Sequence, residues 1–489
     1  MVYFDIFGYA MINNKPIQNE MEFISIDSLV PEDHILRKIS KHIDFSFINE
    51  RTKHLYSATR GRPAIPPVVL FKAIFIGYLF GIRSERELVR QIQVNIAYRW
   101  FLGYKLTDKI FDDSTLSQNR RRRFNASTIY QEIFDEIVHL AISKKLVTGE
   151  TLYTDSTHLR ANANNNKYTK EVVSETTRAY IKGLEEAIEE ARKERGKKPF
   201  DKDENKPSKT KEIRKSKIDP DSGYMRRERK PEGFYYLDHR TTDGKYAIIT
   251  DTTVTSGNVH DSVPYLSILD NQISRYGFKV KEVGLDSGYN SIIIHKGLDD
   301  RNIFGITGRK SQRRAKELLL RKEYKYDKRR DVYICPKGEE LKLSTIDRNG
   351  NKIYKSKSTV CAQCDKLGVC TKNKKCEKAI NRHIFEEVNE RAELNRRSQR
   401  GREIYKRRKE TVERSFADAK QLHGHRYAKF RGLAKVAMQC LLCAAVQNMK
   451  KISLILDKRG DKGRKNGLFF VQKSQLDFGF GSICNICVL

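Results

Sequence analysis

The stretch "ETLYTDSTHLRANANNN", residues 150–166, decides the fold class of the chain. Its first half is rich in β-branched and aromatic residues, which predicts a β-strand that delivers Asp155. After this strand the chain turns polar. A carboxylate in such a place can cap a turn, accept backbone hydrogen bonds or hold a metal ion. Its role therefore depends on whether other carboxylates occupy comparable places.

A second predicted strand ends in the same way. In "YGFKVKEVGLDSGYNS" the strand-like run 280–285 leads to Asp286 and a turn with Gly288. Further strand patterns, "KYAIITDTTVTSGNVHD" and "RNIFGITGR", alternate with helical patterns such as 261–275. Strands that alternate with helices predict an α/β core.

The N-terminal part of the chain has a different periodicity. Residues 21–130 carry apolar residues at helical spacing, and the tight break at 81–83 between two predicted helices is typical of a helix-turn-helix. A further predicted helix contains four consecutive arginines: Arg120, Arg121, Arg122 and Arg123. They cover every face of that helix, so they form either a solvated surface or a face that contacts phosphates.

The overall charge points to a polyanionic partner. The 489 residues include 95 Lys and Arg against 62 Asp and Glu, a net charge of +33. Because Lys and Arg displace counterions from phosphates, nucleic acid is the expected partner. The longest apolar run, 66–82, contains Lys72 and is shorter than the roughly 20 residues of a membrane span. We therefore expect no membrane partner and a cytoplasmic protein that acts in the nucleoid.

A third carboxylate, Glu413, lies in a strongly cationic helical segment. On a continuous helix it shares a face with Lys406, Lys409 and Lys420. One explanation is a set of helix salt bridges. The other is a metal site, because hard divalent ions bind carboxylate oxygens and keep positions open for water and phosphate. Two such ions side by side promote phosphodiester chemistry.

The chain resembles bacterial insertion-sequence transposases of the DDE superfamily over residues 21–456. The resemblance lies in "TDSTHLRANAN", "TSGNVHDS", "GLDSGYNS" and "TVERSFADAKQLHGHRYAKFRGLAKVAMQCLLCAAVQN". It is strongest to the subgroup that has a helical N-terminal domain and a cysteine-bearing insertion before the helix with the catalytic glutamate.

This resemblance implies a domain organisation. A helical DNA-binding domain at 21–130 precedes a ribonuclease-H-like catalytic domain at 146–456. Two insertions interrupt the catalytic domain, a charged one at 166–232 that begins as a helix and continues as a mobile loop, and a cysteine-rich one at 310–400. An irregular tail is expected at 457–489.

The resemblance also implies an activity. Asp155, Asp286 and Glu413 form the catalytic triad and bind two Mg²⁺ or Mn²⁺ ions. The enzyme binds the ends of an insertion element, cleaves the DNA and joins the 3′-hydroxyl to target DNA, acting as a homo-oligomer on double-stranded DNA. Two other functions stay open: an inactive transposase-derived DNA-binding protein, and a stand-alone metal-dependent nuclease.

One local departure from the family pattern affects the phosphate contacts. The pattern is Tyr, two residues, Arg, three residues, Glu, six residues, Lys. Glu413 and Lys420 fit it, but Tyr405 and Arg408 lie one residue too early. On a continuous helix Arg408 would point away from Glu413, so Lys409 is predicted to be the better phosphate contact.

The motif "TSGNVHDS" supplies His260 and Asp261 after another predicted strand. Both are expected at the edge of the active site, where His260 would help to position DNA. A turn in which Asp261 caps the next helix is the alternative.

Five of the nine cysteines lie between residues 335 and 376. Clustering of this kind in a reducing compartment favours a metal site over disulfides. The predicted structural zinc ligands are Cys335, Cys361, Cys364 and Cys370, with Cys376 or His383 as competitors for the last position. Free thiols in a decaying zinc site are the alternative. The weaker candidate pairs are Cys440 with Cys443, expected in the core, and Cys484 with Cys487.

Overall fold

The computed structural model describes residues 23–57, 59, 63–125, 127–174, 179–198, 210–226, 231–309 and 318–476. Within these ranges, no helix combines the length and the apolar character of a membrane-crossing segment. The pair Cys484 and Cys487 lies outside the described residues.

The N-terminal region is helical, as predicted. Its helices are α1 (Ile35–His42), α2 (Phe47–Thr52), α3 (Pro67–Leu79), α4 (Glu85–Val94), α5 (Ile96–Leu102), α6 (Ser114–Asn119) and α7 (Ile129–Ser143). Helix α3 starts on Pro67, whose fixed φ suits the first helical position. Helix α4 is capped by the Ser84 hydroxyl, which accepts from the Glu87 N–H at 3.3 Å. The predicted break at 81–83 is therefore confirmed.

A mixed sheet forms the centre of the molecule. Its strands are β1 (Thr151–Arg160), β2 (Tyr168–Ser174), β3 (Thr210–Ser216), β4 (Gly223–Met225), β5 (Gly233–Asp243), β6 (Ile249–Ser256), β7 (Glu282–Leu285) and β8 (Phe304–Thr307). Strands β6, β5 and β1 pair antiparallel, and β7 and β8 follow parallel to β1. Three antiparallel strands beside two parallel ones are the ribonuclease-H-like arrangement that the resemblance implied.

The sheet is longer than expected on one side. Strands β2, β3 and β4 extend it beyond β5, and helix α8 (Ala179–Lys193) lies between β2 and β3. The prediction that 166–232 begins as a helix and continues as a mobile loop is correct for α8 and wrong for the three strands β2, β3 and β4. The residues 168–174 pair with 210–216 in a regular antiparallel ladder, which satisfies their backbone without a large apolar core. Residues 199–209, also assigned to that loop, lie outside the described residues.

The cysteine-rich region contains a second sheet. Its strands are β9 (Lys325–Asp327), β10 (Val332–Ile334), β11 (Glu340–Ile346), β12 (Asn351–Lys355) and β13 (Ala379–His383). Two short helices, α11 (Ser358–Ala362) and α12 (Leu367–Cys370), lie between β12 and β13. Buried Tyr324, Tyr333, Leu341 and Tyr354 form a core of its own. The cysteine-rich region therefore has a hydrophobic core besides its cysteines.

Six further helices belong to the described part of the chain. Helices α9 (Tyr265–Tyr276) and α10 (Ile292–Asp299) flank the central sheet, and α13 (Glu386–Arg397), α14 (Gln399–Arg407), α15 (Val412–Leu422) and α16 (Leu433–Leu476) follow the second sheet. The predicted irregular tail from 457 is wrong as far as residue 476, because α16 continues to that point. Residues 477–489 lie outside the described residues.

The helical region and the central sheet share one hydrophobic core. Phe71 of α3 and Ile133 of α7 belong to the same buried cluster as Leu152 of β1 and Val446 of α16. Helix α16 packs against α1, α3, α7 and β6. The core is therefore continuous between the described N-terminal helices and the central sheet.

The turn after α3 packs tightly against the segment that follows α15. Gly81 has φ +68°, and a Cβ there would lie 2.9 Å from the Leu422 carbonyl oxygen. Gly103 has a similar φ of +81°, but a Cβ there would meet nothing within 4 Å. The two glycines therefore share the backbone requirement and differ in the available space.

We expect Gly81→Ala to destabilise the protein more than Gly103→Ala. Both substitutions place a side chain in the left-handed region at a cost of about 1–3 kcal/mol, and only the first also drives a methyl group into a backbone carbonyl. Urea denaturation of the two variants measures the difference in the free energy of unfolding. Equal losses of the free energy of unfolding would show that the turn at Gly81 can move away from Leu422 and that the two are packed loosely.

Candidate active site

Two of the predicted catalytic residues lie side by side at the edge of the central sheet. Asp155 is on β1, and Asp286 follows β7 directly. The two strands are parallel neighbours, and Thr154 pairs with Leu285. The next residue of each strand is therefore an aspartate at the same level of the sheet.

The third predicted catalytic residue, Glu413, is in the first turn of α15. Helix α14 ends at Arg407 and α15 begins at Val412, so the cationic segment is two helices with a break between them. At the break the Glu413 N–H donates to the Arg408 carbonyl oxygen at 3.1 Å, a bond over five residues rather than the usual four.

The three carboxylates meet at the guanidinium of Arg408. Its Nη2 donates to Asp155 Oδ2 at 2.9 Å, and its Nη1 lies 3.5 Å from Asp286 Oδ1 and 3.6 Å from Glu413 Oε1. Only 3% of the Arg408 side chain is exposed. The structure thus brings together the three acids that the sequence singled out.

The prediction that Arg408 points away from Glu413 is wrong. It assumed one continuous helix, in which residues five apart lie on different faces. The break between α14 and α15 absorbs the extra residue and turns Arg408 inward. Tyr405 lies at the site as well: its ring centroid is 5.3 Å from the Arg408 guanidinium, and its hydroxyl lies against Gly308.

The surroundings change the acidity of one carboxyl group. Burial raises the pKa of Asp155 to about 6, although the adjacent guanidinium of Arg408 favours the ionised form. The negative charges of Asp286 and Asp261 raise this pKa further. Asp155 therefore exchanges its proton near neutral pH, while only 20% of its side chain is exposed.

The donor set suits a hard divalent cation. Three carboxylates from three elements converge on one point, and the only positive group that touches all three, among the described residues, is the Arg408 guanidinium. The position of the guanidinium shows that the three carboxylates stabilise a positive charge at this point. Mg²⁺ or Mn²⁺ prefers such oxygen ligands.

Asp261 is a fourth carboxylate next to this group. It accepts a hydrogen bond at 2.7 Å from Ser156, the residue after Asp155. The alternative that Asp261 caps the following helix is wrong, because α9 begins at Tyr265 with Pro264 as its N-cap. His260 is exposed at the same edge, and its Nδ1 is 2.8 Å from the Ser262 hydroxyl oxygen.

A cationic cleft opens beside the triad. Its volume is about 430 Å³. Besides Asp286, Arg408 and Glu413, it is lined by Gly308, Arg309, Arg396, Arg402, Tyr405, Lys406 and Lys409. Arg309 and Arg402 were not identified from the sequence, because they are far apart along the chain and carry no motif. Lys420 lies elsewhere on α15 and donates to the Thr157 hydroxyl at 2.5 Å.

The four consecutive arginines divide into two pairs. Arg120 is salt-bridged to Glu85 and lies 4.3 Å from the Phe430 ring centroid, and Arg123 lies 4.6 Å from the Tyr56 ring centroid. Arg121 and Arg122 are exposed. Arg120 is therefore engaged in an ion pair with Glu85, and Arg121 and Arg122 are the members of the run that face solvent.

The four predicted zinc ligands line one small cavity of about 30 Å³ in the second sheet domain: Cys335, Cys361, Cys364 and Cys370. Cys376 and His383 do not line it. The sulfurs are not in ligand geometry, since no three of these four lie within 4.8 Å of one another. Instead, the Tyr324 hydroxyl is 2.9 Å from Cys370 Sγ, and Cys361 Sγ is 3.1 Å from the Ser356 hydroxyl.

Two protein-family models match the chain. Residues 24–122 match "Transposase domain (DUF772)", and residues 334–453 match "Transposase DDE domain". The second span contains Glu413, whereas Asp155 and Asp286 lie between the two spans.

The other comparisons add little. No curated protein matches the chain. Among solved structures, the crystal structure of the Mos1 mariner paired end complex with Mn matches at 9% identity, with a TM-score of 0.15, over 53% of this chain and 62% of that chain. The match spans less than two thirds of that chain, and so low a TM-score decides nothing about the fold.

Metal binding at the triad should weaken in mild acid. A carboxyl group with its pKa raised to about 6 is protonated below that pH, so protons compete with the metal there. We expect Mn²⁺ affinity, measured by electron paramagnetic resonance, to fall about tenfold per pH unit below about pH 6. Asp155→Asn is the control: it should bind Mn²⁺ more weakly, with a flatter pH dependence. Identical pH slopes for the two proteins would exclude Asp155 as the titrating ligand.

Proposed function

We propose that this protein, a transposase of the DDE type, cleaves DNA at the ends of its insertion element and joins the freed 3′-hydroxyl to target DNA with two divalent metal ions. The two family-model matches confirm the resemblance seen in the sequence and make the chain a transposase enzyme. The observation that carries the finer proposal is the convergence of Asp155, Asp286 and Glu413 on a single point.

The three carboxylates would hold the ions, Mg²⁺ or Mn²⁺. When bound, such ions supply Lewis acids for the attacking and leaving oxygens of a phosphodiester. Asp155 must lose its proton to act as a ligand, and Arg408 favours this by its positive charge. The planar guanidinium of Arg408 also fits a phosphate in two-point contact, which the ammonium of Lys409 does not. We therefore assign Arg408 as the phosphate ligand nearest the triad and Lys409 as one further out in the cleft.

Double-stranded DNA is the proposed partner, both as element end and as target. The net charge of +33 supplies the general attraction. Near the triad, His260 is exposed and Lys420 lies on the Glu413 helix. In the helical region, Arg121 and Arg122 are the members of the arginine run that can reach a phosphate. We further propose a homo-oligomer on DNA and a location in the bacterial nucleoid.

The two rival functions make different demands on the site. An inactive DNA-binding relic has no need of three carboxylates that converge beside a cationic cleft. A stand-alone nuclease would use the same acids but would release cut DNA without joining it. The products of a reaction with element ends and target DNA therefore separate all three possibilities.

We expect Asp155→Asn, Asp286→Asn and Glu413→Gln each to reduce DNA cleavage to the background while DNA binding stays near the wild-type level. Each substitution removes one hard ligand, whereas binding depends on the cationic surface. Glu410→Gln is the matched control, since Glu410 is exposed, belongs to the same cationic segment and lies outside the cleft. Gel assays of cleavage, joining and binding measure all four variants.

The outcomes assign the residues separately. Cleavage at the wild-type rate by any one triad variant would remove that residue from the metal site. Cleavage without joined products in the wild-type protein would favour the nuclease. An absence of cleavage by the wild-type protein with every divalent ion tested would favour the relic.

We also propose a structural Zn²⁺ at the cysteine cavity. Four thiols that surround one small cavity match the number of ligands in a structural zinc site. The ligand set requires the thiols to close in, with Cys361 leaving Ser356 and Cys370 leaving Tyr324. Because this region has its own tyrosine-rich core, the metal would stabilise the cavity and its two short helices and not the whole region.

Purified protein should contain about one Zn²⁺ per chain, and Cys361→Ser should release it. A four-sulfur site loses most of its affinity for zinc when one of its ligands is removed. Cys376→Ser is the control and should retain the metal, since Cys376 does not line the cavity. Elemental analysis of the three proteins, purified under reducing conditions, gives the result. Wild-type protein without zinc, or equal loss from both variants, would refute the assignment.

A further inference from the structure

A group of buried charges lies behind the candidate active site. Asp238 and Arg240 are on β5, and His425 follows α15; all three are almost completely inaccessible to solvent. Arg240 Nη2 donates to Asp238 Oδ2 at 2.8 Å, and His425 Nε2 donates to the same oxygen at 2.9 Å. Burying charges is costly unless they are paired, so the cluster calls for an explanation.

The two cations of the cluster are connected to α15 in different ways. Arg240 Nη1 donates to the Ser415 hydroxyl at 2.9 Å, and its guanidinium lies 4.8 Å from the Phe416 ring centroid. At the other end, the imidazole of His425, three residues after the end of α15, is bonded to Asp238, and the backbone N–H of His425 caps the helix by donating to the Ala419 carbonyl oxygen at 3.0 Å. The buried cluster therefore attaches the helix at two points.

The same strand is registered against the strand that carries the first aspartate. Asp155 on β1 pairs directly with Arg240 on β5. Ser415 is two residues after Glu413 on α15. Arg240 is thus the direct strand neighbour of Asp155, and its side chain bonds to the turn of α15 that bears Glu413.

We propose that Arg240 and Asp238 are positioning residues, which form a clamp that holds α15 on the sheet and fixes Glu413 opposite Asp155 and Asp286. The clamp touches neither DNA nor the reacting atoms, and it acts through Ser415 and His425. The inference rests on the proposed function, because the spacing of the three carboxylates matters only if they bind metal ions. A fixed spacing matters since displaced ligands hold a metal ion poorly.

A metal site in the cluster itself is the competing explanation. Ligand atoms of Asp238, His425 and Cys440 lie within 4.8 Å of one another. However, both oxygens of Asp238 already accept hydrogen bonds, Oδ1 from the Thr252 hydroxyl at 2.6 Å and Oδ2 from the two cations. A metal ion there would also be next to the positive charge of Arg240. The geometry therefore favours a clamp.

The test compares two substitutions that each remove one buried hydrogen bond from the cluster. Ser415→Ala removes the acceptor of Arg240 on α15, and Thr252→Val removes a donor to Asp238 on β6, away from the bond to α15. Both should lower thermal stability by similar amounts. We expect only Ser415→Ala to weaken Mn²⁺ binding at the triad, by about tenfold, and to lower kcat of cleavage with an unchanged KM for DNA. It should also speed hydrogen exchange of the α15 amides.

A second variant removes the buried ion pair of Asp238 and Arg240. Asp238→Asn with Arg240→Met leaves an acceptor for His425. Without the carboxylate, burial favours the neutral imidazole of His425, so no unpaired charge stays in the core and the protein should fold. We expect a loss of Mn²⁺ affinity of up to about 100-fold, with circular dichroism like that of the wild type.

Two results would overturn the clamp: equal losses of Mn²⁺ affinity in Ser415→Ala and Thr252→Val, or wild-type exchange of α15 and wild-type affinity in the double variant. Failure of the proposed function looks different. In that case the wild-type protein neither binds Mn²⁺ nor cleaves DNA, and hydrogen exchange of α15 still decides whether the clamp holds the helix.

Discussion

The contact of one guanidinium with three carboxylates is the interaction on which the candidate site depends. Asp155, Asp286 and Glu413 come from two strands and a helix, and at this separation their charges repel. Arg408 relieves the repulsion, and the acids in turn offset the cost of burying its charge. Neither partner is stable in this place without the other. The position of the break before α15 follows from this requirement, because only a shifted helix phase turns Arg408 toward the acids.

The sheet and α15 contribute to the site in different ways. The parallel pairing of β1 and β7 places two aspartates at one level by register alone, and backbone hydrogen bonds hold them there. Glu413 has no such register. Its position depends on side-chain contacts between a helix and a sheet, which are fewer and individually weaker. Buried charge on β5 is a reasonable means of making that joint rigid, since a charged hydrogen bond is directional and an apolar contact is not.

The parts of the fold that the sequence predicted are those with a local signal. The strand-like runs that lead to Asp155 and Asp286 were predicted because their β-branched and aromatic residues and the turn residues after them lie within about ten residues of each other. Glu413 was found through the family resemblance. The inward turn of Arg408 was not predicted, since helical spacing was applied across a break that no proline or glycine marks. Strands β2 and β3 were missed for a related reason: their pairing partner is about 40 residues away, and polar edge strands resemble loops. The clamp residues gave no signal, because a buried charge is recognised only from its surroundings.

The helical region and the catalytic sheet are joined where α15 ends. His423 donates to the Tyr78 carbonyl oxygen at 3.0 Å, and Lys429 donates to the Ile82 carbonyl oxygen at 3.2 Å. These acceptors belong to the end of α3 and the turn after it, in the region assigned to DNA binding. Burial in the shared core lowers the pKa of Lys429 to about 8. Its ammonium group is thus largely removed from water at this interface. A helix is stiff over the length of α15, and a force applied to its end is felt at Glu413. The N-terminal helices and the helix that carries the third carboxylate therefore belong to one packed body, and a fragment that carries only the N-terminal helices would expose the core face that α16 covers.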